Sequence, residues 1–383
     1  MFIEIKGVQF VNKGAELMLA SVVERVKQYW PEAEIVLEGN PFSPYKSRAM
    51  LGAFQKLSLR KNVLDLNFIA YYLPNFIRNY LKKWGVVTEA DIDVVLDAAG
   101  FAYGDQWGAL KIKHLGGELK RYKKNGCKYI FLPQALGPFT RSEDIKVLKN
   151  HLPKAALICA REQQSYDNIR DIIGDASNLI QYPDFTNAVK GVVPDYWQDG
   201  DTKVCFIPNS NMIGDKNQNE SWKKNYLDIM KLLMEKTQEL GLVPVLLNHE
   251  GDGDRDICEK LNSFFDNKLE VIEESDPLKV KGIIGASKAI VCSRFHGCVS
   301  ALSQSIPNLG TSWSHKYEQL FNEYIVPELL INPNSSKDDL ERLLDDVINN
   351  NTEYLANINS SAKKFKAITE DMWLTVCSKI KER

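Results

Sequence analysis

No apolar run in the 383-residue sequence reaches the ~18 residues that a membrane-spanning helix requires. The opening Met1-Phe-Ile-Glu-Ile-Lys-Gly-Val has neither a basic n-region nor an apolar h-region, so no secretory signal is expected. An excess of one charge is missing too. Lys plus Arg number 48 and Asp plus Glu 50, for a formal net charge of -2. That disfavours a nucleic-acid binder, whose affinity comes from neutralising phosphates. It leaves room for a small anion, which a few arginines in one cleft suffice to hold. The seven cysteines are scattered and form no C-x-x-C pair. Set in apolar stretches, as Cys159, Cys205 and Cys292 are, they read as reduced, buried thiols of a cytoplasmic protein. The five histidines show no H-x-x-x-H spacing, and no metal is expected. Asp252-x-Asp254-x-Asp256 approaches a calcium loop, but Ile257 stands where that loop needs Gly and no Glu closes it. These aspartates read as helix N-caps.

What the chain does contain is alternation. Short β-branched runs centred on Phe2–Val8, Glu34–Leu37, Asp93–Asp97, Tyr129–Leu132, Ala156–Cys159 and Asn178–Gln181 alternate with amphipathic stretches such as Glu16–Tyr29, Leu110–Lys124 and Ser165–Ile173. This is the pattern of βα units building a parallel sheet. Tyr182-Pro183-Asp184 and Gly191–Pro194 interrupt it as a linker. The pattern restarts with strands at Lys203–Ile207, Val243–Leu247, Leu269–Ile272 and Ala289–Cys292, and helices beginning near Lys223, Asp254 and Pro277. The division expected is an N-terminal Rossmann-like domain over 1–183, a C-terminal one over 184–350 and a helical segment over 351–383. Two such α/β domains facing a cleft are the architecture of GT-B-type transferases, and that fold class is expected by analogy.

One insertion stands apart. Leu64–Trp84 is rich in aromatics (Phe68, Tyr71, Tyr72, Phe76, Tyr80, Trp84), is broken by Pro74, and is flanked by Arg60, Lys61, Lys82 and Lys83. It has the make-up of an interfacial element that meets anionic headgroups. The competing expectation is a buried helix pair. Under either, Leu64, Phe68 and Leu81 are expected in the core.

The segment Ile290-Val-Cys-Ser-Arg-Phe-His-Gly-Cys-Val-Ser-Ala-Leu carries the chemistry. A strand ends in Ser293-Arg294-Phe295-His296-Gly297 and a small-residue helix follows. Arg294 and His296 would project at the carboxyl end of a parallel strand, where open α/β sheets bind ligands, beside helix amides suited to an anion. The alternative is a buried ion pair and a core histidine. His249, after another strand, is a second acid/base or a sugar contact, or a solvated loop histidine; Asn248 precedes it. Lys316 pairs a phosphate or caps a helix. Asn12 and Glu16 lie at a strand-to-helix turn, where Asn12 can serve as an N-cap. Tyr103, Asp105 and Trp107 have the polar-aromatic mixture of a sugar site, though Trp107 also suits core packing.

The run Ser293-Arg294-Phe295-His296, with Ile306-Pro307 and Lys316 beyond it, resembles the signature of the polysaccharide pyruvyl transferases. Val11-Asn12-Lys13-Gly14-Ala15-Glu16 resembles that family's first strand-to-helix turn. Gln134-Ala135-Leu136-Gly137-Pro138-Phe139 resembles its middle loop, Cys159-Ala160-Arg161-Glu162 with Ser165 its Arg-Asp/Glu-x-x-Ser turn, and Tyr182-Pro183-Asp184 its linker. Ala15 departs from the family's Asp, and Asp97-Ala98-Ala99-Gly100 from its Gly-rich run, which bears on close backbone approach to a ligand. The resemblance implies transfer of pyruvate from phosphoenolpyruvate onto two hydroxyls of a hexose, giving a cyclic ketal, with no further cofactor. It implies that Arg161 and Arg294, with Lys316, bind the donor's anionic groups and that His296 is the general acid, His249 being next in line. Asn12, Glu16, Tyr103, Asp105, Trp107 and Asn248 are the acceptor or cleft candidates. The acceptor implied is a polysaccharide precursor, linked to polyprenyl diphosphate at the inner membrane face.

Two other classes compete. A metal-independent GT-B glycosyltransferase would need a ribose-binding carboxylate late in the second sheet, where Lys316 and Glu318 stand without the expected Glu-x6-Glu spacing. A non-catalytic polysaccharide-assembly partner would have no use for Arg161, Arg294 and His296.

Overall fold

The computed structural model describes every residue except Lys216, His315, Asn350, Asn351 and Arg383. Two compact units result. Met1–Val11, Met18–Phe185 and the chain from Ile368 onward form the first, and Asn12–Leu17 with Thr186–Ala367 the second.

The first unit runs β1 (Phe2–Lys6), α1 (Lys13–Tyr29), β2 (Glu34–Glu38), α2 (Tyr45–Met50), β3 (Phe54–Lys56), a hairpin of β4 (Arg60–Lys61) and β5 (Leu64–Asp65), α3 (Asn75–Lys83), β6 (Val86–Val87), β7 (Val94–Asp97), α4 (Ala109–Lys124), β8 (Lys128–Gln134), α5 (Ser142–His151), β9 (Leu157–Ala160), α6 (Gln163–Ile173) and β10 (Leu179–Gln181). Eight strands pair in parallel in the order β10-β9-β8-β7-β1-β2-β3-β6, so strand order reverses between β1 and β7. Strands such as Val94–Asp97 and Leu157–Ala160 are buried throughout, as expected of a parallel sheet covered on both faces. On one face Met18, Val22 and Val26 of α1 pack over Ile3, Leu96 and Ile130. On the other, Leu115 and Leu119 of α4 pack over Val95 and Phe131.

The second unit runs β11 (Lys203–Ile207), α7 (Glu220–Glu239), β12 (Val243–Asn248), α8 (Gly251–Ser263), β13 (Val271–Glu273), α9 (Pro277–Gly285), β14 (Ala289–Cys292), α10 (Phe295–Ser303), β15 (Asn308–Gly310), α11 (Lys316–Glu323), α12 (Lys337–Asn349) and α13 (Thr352–Lys381). Its parallel sheet has the order β13-β12-β11-β14-β15, with the reversal between β11 and β14. Local signals start its helices. Asp276 accepts from the Leu278 amide at 2.9 Å ahead of Pro277 at the first helical position, and Asn219 accepts from the Trp222 amide at 3.2 Å.

All ten strands expected from sequence are present, each overlapping its expected range. Those not anticipated (β3 to β6 and β15) are two or three residues long, too short to display a period. The unit boundary falls after Phe185, two residues beyond the expected Pro183, and the first turn of α1 groups with the second unit. The segment 351–383, expected to be helical, contains α13, whose residues divide between the units at Ala367 and Ile368. Met372, Trp373 and Val376 join the core of the first unit, and that apolar burial is why the helix does not stand alone. All seven cysteines are buried and free. Among the described residues no helix is long and apolar enough to cross a membrane.

The aromatic insertion forms the β4–β5 hairpin, a 3-10 turn over Asn67–Tyr72, and α3. Leu64 and Phe68, expected in the core, are exposed, and Leu81 is half-buried. None of the nine residues of α3 is buried either.

Candidate functional site

In the second unit strand order reverses between β11 and β14, and the Ser-Arg-Phe-His run lies at the carboxyl end of β14, where open α/β sheets bind ligands. Ser293 is locked first. Its hydroxyl lies 2.7 Å from both Tyr226 Oη and Thr311 Oγ1, and its carbonyl accepts from Asn209 Nδ2 at 2.9 Å and Tyr317 Oη at 2.8 Å. With that residue immobile, the direction in which Arg294 leaves the strand is set. Its Nε donates to Asp254 Oδ2 at 2.8 Å, Nη2 donates to Asp254 Oδ1, and Nη1 donates to Glu250. Burial works against the guanidinium's charge, but these two carboxylates outweigh it and hold the pKa above its ordinary value.

Asp254 is fully buried and also accepts from the Ser210 amide at 3.0 Å. It is not the N-cap expected for α8, a position held by Glu250, and Asp252 is out in solvent beside Arg255. The acids at 250 and 254 lie one helical turn apart and so meet the same arginine. Glu250 also accepts from Asn12 Nδ2 at 2.6 Å, while Asn12 Oδ1 accepts from the Ala15 amide at 3.1 Å. Asn12 is therefore the N-cap of α1 and a link to the arginine cluster. Glu16 pairs with Lys13 at 2.7 Å; burial raises its carboxyl pKa, with Lys13 opposing.

His296 is the second residue of α10, with its ring against Gly14, where a Cβ would come 2.2 Å from Nδ1. Only glycine at 14 admits the imidazole there. His249 follows β12 and is buried, and its Nδ1 has no hydrogen-bond partner among the described residues. Burial, and then the charges of Arg294, His296 and Lys13, push its pKa down to about 3. It is a neutral imidazole at ordinary pH, not the solvated loop residue that was the alternative. Asn248 closes β12 with its Oδ1 buried and likewise without a partner among the described residues. Lys316 begins α11 with its ammonium 4.9 Å from the Phe295 ring centroid and 5.4 Å from that of Trp313. The second unit thus gathers Asn12, Glu16, Asn248, His249, Arg294, His296 and Lys316.

The remaining candidates belong to the first unit. Arg161 follows β9, buried, 3.4 Å from Glu162 and 3.7 Å from Asp184. Ser165 receives the Leu136 amide at 2.7 Å, and Asn168 donates to the Leu136 carbonyl at 2.9 Å, so the loop after β8 is pinned to α6. Tyr103 is buried, and its hydroxyl, like that of Tyr129, donates to Asp97 at 2.6 Å. Asp105 is occupied by Thr140, whose amide and hydroxyl lie at 2.8 and 2.7 Å; these bonds lower its pKa. Trp107 is half out in solvent, with Lys111 over its ring at 5.5 Å.

Sequence reasoning missed Glu250 and Asp254 as partners of Arg294, since strand order alone brings α8 to β14. It also missed a pocket of about 300 Å³ at the β1/β7 reversal, lined in part by Lys6, Glu38, Asn40, Arg60, Tyr103 and Lys111. Gly7 and Ala99 also line it, and they approach so closely that a Cβ at Gly7 would meet that of Ala99 at 2.4 Å.

Solved structures share this fold. A Listeria monocytogenes protein described as a putative UDP-N-acetylglucosamine 2-epimerase is similar with a TM-score of 0.64 at 12% identity, covering 100% of this chain and 97% of its own. The UDP-GlcNAc 2-epimerase of Neisseria meningitidis is similar with a TM-score of 0.61 at 10% identity, over 98% and 99%. A glycosyltransferase from Rickettsia africae is similar with a TM-score of 0.58 at 12% identity, over 99% and 98%. These likenesses define the class of fold: GT-B, with two Rossmann-like domains. No curated protein sequence matches the chain. Residues 12–315 match the family Polysaccharide pyruvyl transferase, and the chain belongs to that family. It is a transferase of polysaccharide biosynthesis.

Proposed function

We propose that the protein transfers pyruvate from phosphoenolpyruvate onto two hydroxyls of one hexose in a surface-polysaccharide precursor. The observation that carries this is the neighbourhood of Arg294: a fixed guanidinium, with a neutral, buried His249 close enough to feel both its charge and that of His296. Proton transfer to C3 of phosphoenolpyruvate makes C2 electrophilic, and His296 is the donor. One sugar hydroxyl adds to C2, the C2–O bond to phosphate breaks, and the second hydroxyl closes the ketal. Of the two hydroxyl protons, one balances that placed on C3 and the other leaves with phosphate. With a pKa of about 3, His249 has no proton to donate near neutrality, so it is not the reserve acid. It acts as a weak acceptor for a hydroxyl proton, which is enough once C2 has oxocarbenium character.

Arg294 contributes through exchange. Asp254 holds it from inside, whereas the Glu250 side chain is 27% exposed, and an incoming carboxylate or phosphate replaces Glu250 on the same guanidinium. Arg161 and Lys316 are the other donor-binding candidates. Asn12, Glu16 and Asn248 of the second unit and Tyr103, Asp105 and Trp107 of the first are the acceptor or cleft candidates. No cofactor beyond the donor is invoked, and the acceptor is proposed to be linked to polyprenyl diphosphate at the inner membrane face.

One observation favours a second reading, use of a nucleotide sugar. A polar opening of about 670 Å³ in the second unit is lined by Trp313, Ser314, Glu318 and Asn219, among others, a pairing of ring and carboxylate that suits a nucleoside. Two of the similar proteins are named for UDP-N-acetylglucosamine. Thermal unfolding with phosphoenolpyruvate and with a panel of UDP-sugars separates the two. A rise in Tm with phosphoenolpyruvate alone is expected, and a rise with UDP-sugars alone overturns the proposal.

A further inference from the structure

The helix α3 is laid on the first unit inside out. Arg78, Lys82, Ile77 and Leu81 face inward, and Phe76, Asn79, Tyr80, Lys83 and Trp84 face outward. Arg78 and Lys82 hold the helix down by pairing with Asp91 at 3.1 and 2.8 Å. The Asp91 carboxylate is buried. Burial, its largest influence, raises its pKa, but bonds from Lys82 and Thr88 bring it below the usual range. The inward face is thus anchored by charge, and the apolar payload is left outside. Phe68, Tyr72, Phe76, Tyr80 and Trp84 recur every four residues across the 3-10 turn and α3. Tyr72 is 79% exposed, Phe76 74% and Trp84 71%. Of the 24 exposed large apolar side chains among the described residues, nine fall between Val63 and Trp84. A patch of that density marks an interaction site, since scattered exposure would need no explanation.

We propose that this face docks the protein peripherally on an anionic lipid surface. Charge decides the occupant. Residues 60–84 carry five basic side chains (Arg60, Lys61, Arg78, Lys82, Lys83) and one acid, Asp65, which is paired with Arg121. Lys61 and Lys83 are exposed and have no carboxylate partner among the described residues. A second copy of the chain would oppose these lysines to themselves, whereas anionic headgroups complement them. Tyr and Trp at the edge of an apolar face are the side chains that settle at a bilayer interface. Arg60 opens the hairpin of this element and also lines the pocket at the β1/β7 reversal with Lys6 and Lys111. On the proposed function, that continuity places a polar pocket, lined by Lys6, Arg60, Lys111 and Glu38, beside the membrane where a lipid-linked diphosphate would sit. The docking itself does not depend on that chemistry.

The test is co-sedimentation of the full chain with vesicles of phosphatidylcholine alone and of phosphatidylcholine with phosphatidylglycerol. Binding to the anionic vesicles at low salt is expected, weakened by added salt. The triple substitution Phe76→Ser, Tyr80→Ser, Trp84→Ser should lower the bound fraction at least about ten-fold with thermal unfolding no lower than native. Lys61→Glu with Lys83→Glu should abolish the preference for anionic vesicles; Lys82 is spared because it anchors the helix. Failure of the native chain to sediment with anionic vesicles, or equal binding by the triple variant, overturns the proposal. So does a concentration-dependent dimer that the triple variant abolishes, which would assign the face to a second copy. Binding is read without turnover, so its failure is distinct from failure of the pyruvyl-transfer reading.

Discussion

Asp254 holds the guanidinium of Arg294 through both carboxylate oxygens, with Nε 2.8 Å from Oδ2, and no part of Asp254 reaches solvent. An arginine placed to meet an anion is thereby also the counter-ion of a buried acid. Arg294→Ala should strand that acid and cost about 3–5 kcal/mol in denaturant unfolding. Glu250→Gln should cost less than about 1 kcal/mol, and should tighten phosphoenolpyruvate binding by removing a competitor for the same guanidinium. Native stability in the Arg294 variant would refute the ion pair, and loss of donor affinity with Glu250→Gln would refute the exchange.

His296→Gln should retain phosphoenolpyruvate binding, measured by calorimetry, yet lose roughly 10²–10⁴-fold in turnover. Gly14→Ala approaches the same ring from the other side, because its Cβ would come 2.2 Å from His296 Nδ1. The imidazole must then shift, and turnover should fall by at least about ten-fold while overpacking costs about 1–3 kcal/mol. Unimpaired turnover in Gly14→Ala would show that the position of the ring is immaterial.

His249 makes a pH-dependent contribution whose sign follows from its lowered pKa. Its folded value is about 3 against an ordinary 6.5, so between those values the unfolded chain binds the proton and the folded chain does not. Stability therefore rises with pH across that window and is lost as pH falls through it. His249→Asn should flatten the acid limb of a Tm-against-pH profile between about pH 6.5 and pH 3. An unchanged limb would mean that the ring is already hydrated.

Glu118 is the corresponding carboxylate in the first unit. It is buried and accepts from Lys6 and from Arg60 Nη1, the latter at 2.6 Å. Burial, the largest influence, raises its pKa, but Lys6, Lys56 and Arg60 together hold it well below the ordinary 4.5. A depressed carboxylate stabilises the fold above its unfolded pKa, and that stability is lost as pH falls below it. Glu118→Gln should cost about 3–5 kcal/mol near neutrality, with the deficit shrinking in acid. Urea unfolding at several pH values measures it, and a deficit independent of pH would point to packing instead of charge.

Residue order alone is enough to read the elements and the family. Runs such as Leu157–Ala160 or Ala289–Cys292 are apolar throughout because both faces of a parallel sheet are covered, and no partner need be known to see it. The strand–Ser–Arg–Phe–His motif is legible because its parts are neighbours in the chain. Other properties depend on residues far apart and arise only on folding. Asp254 meets Arg294 across forty positions only because β12 and β14 flank β11, so a local reading takes it for a helix cap. Burial with Arg294, His296 and Lys13 around it, not its flanking residues, makes His249 neutral. The insertion reveals its composition in sequence but not its orientation. Asp91, outside the segment, draws Arg78 and Lys82 inward, and a buried charge that must be paired outweighs the pull on the aromatic face, which is left to solvent.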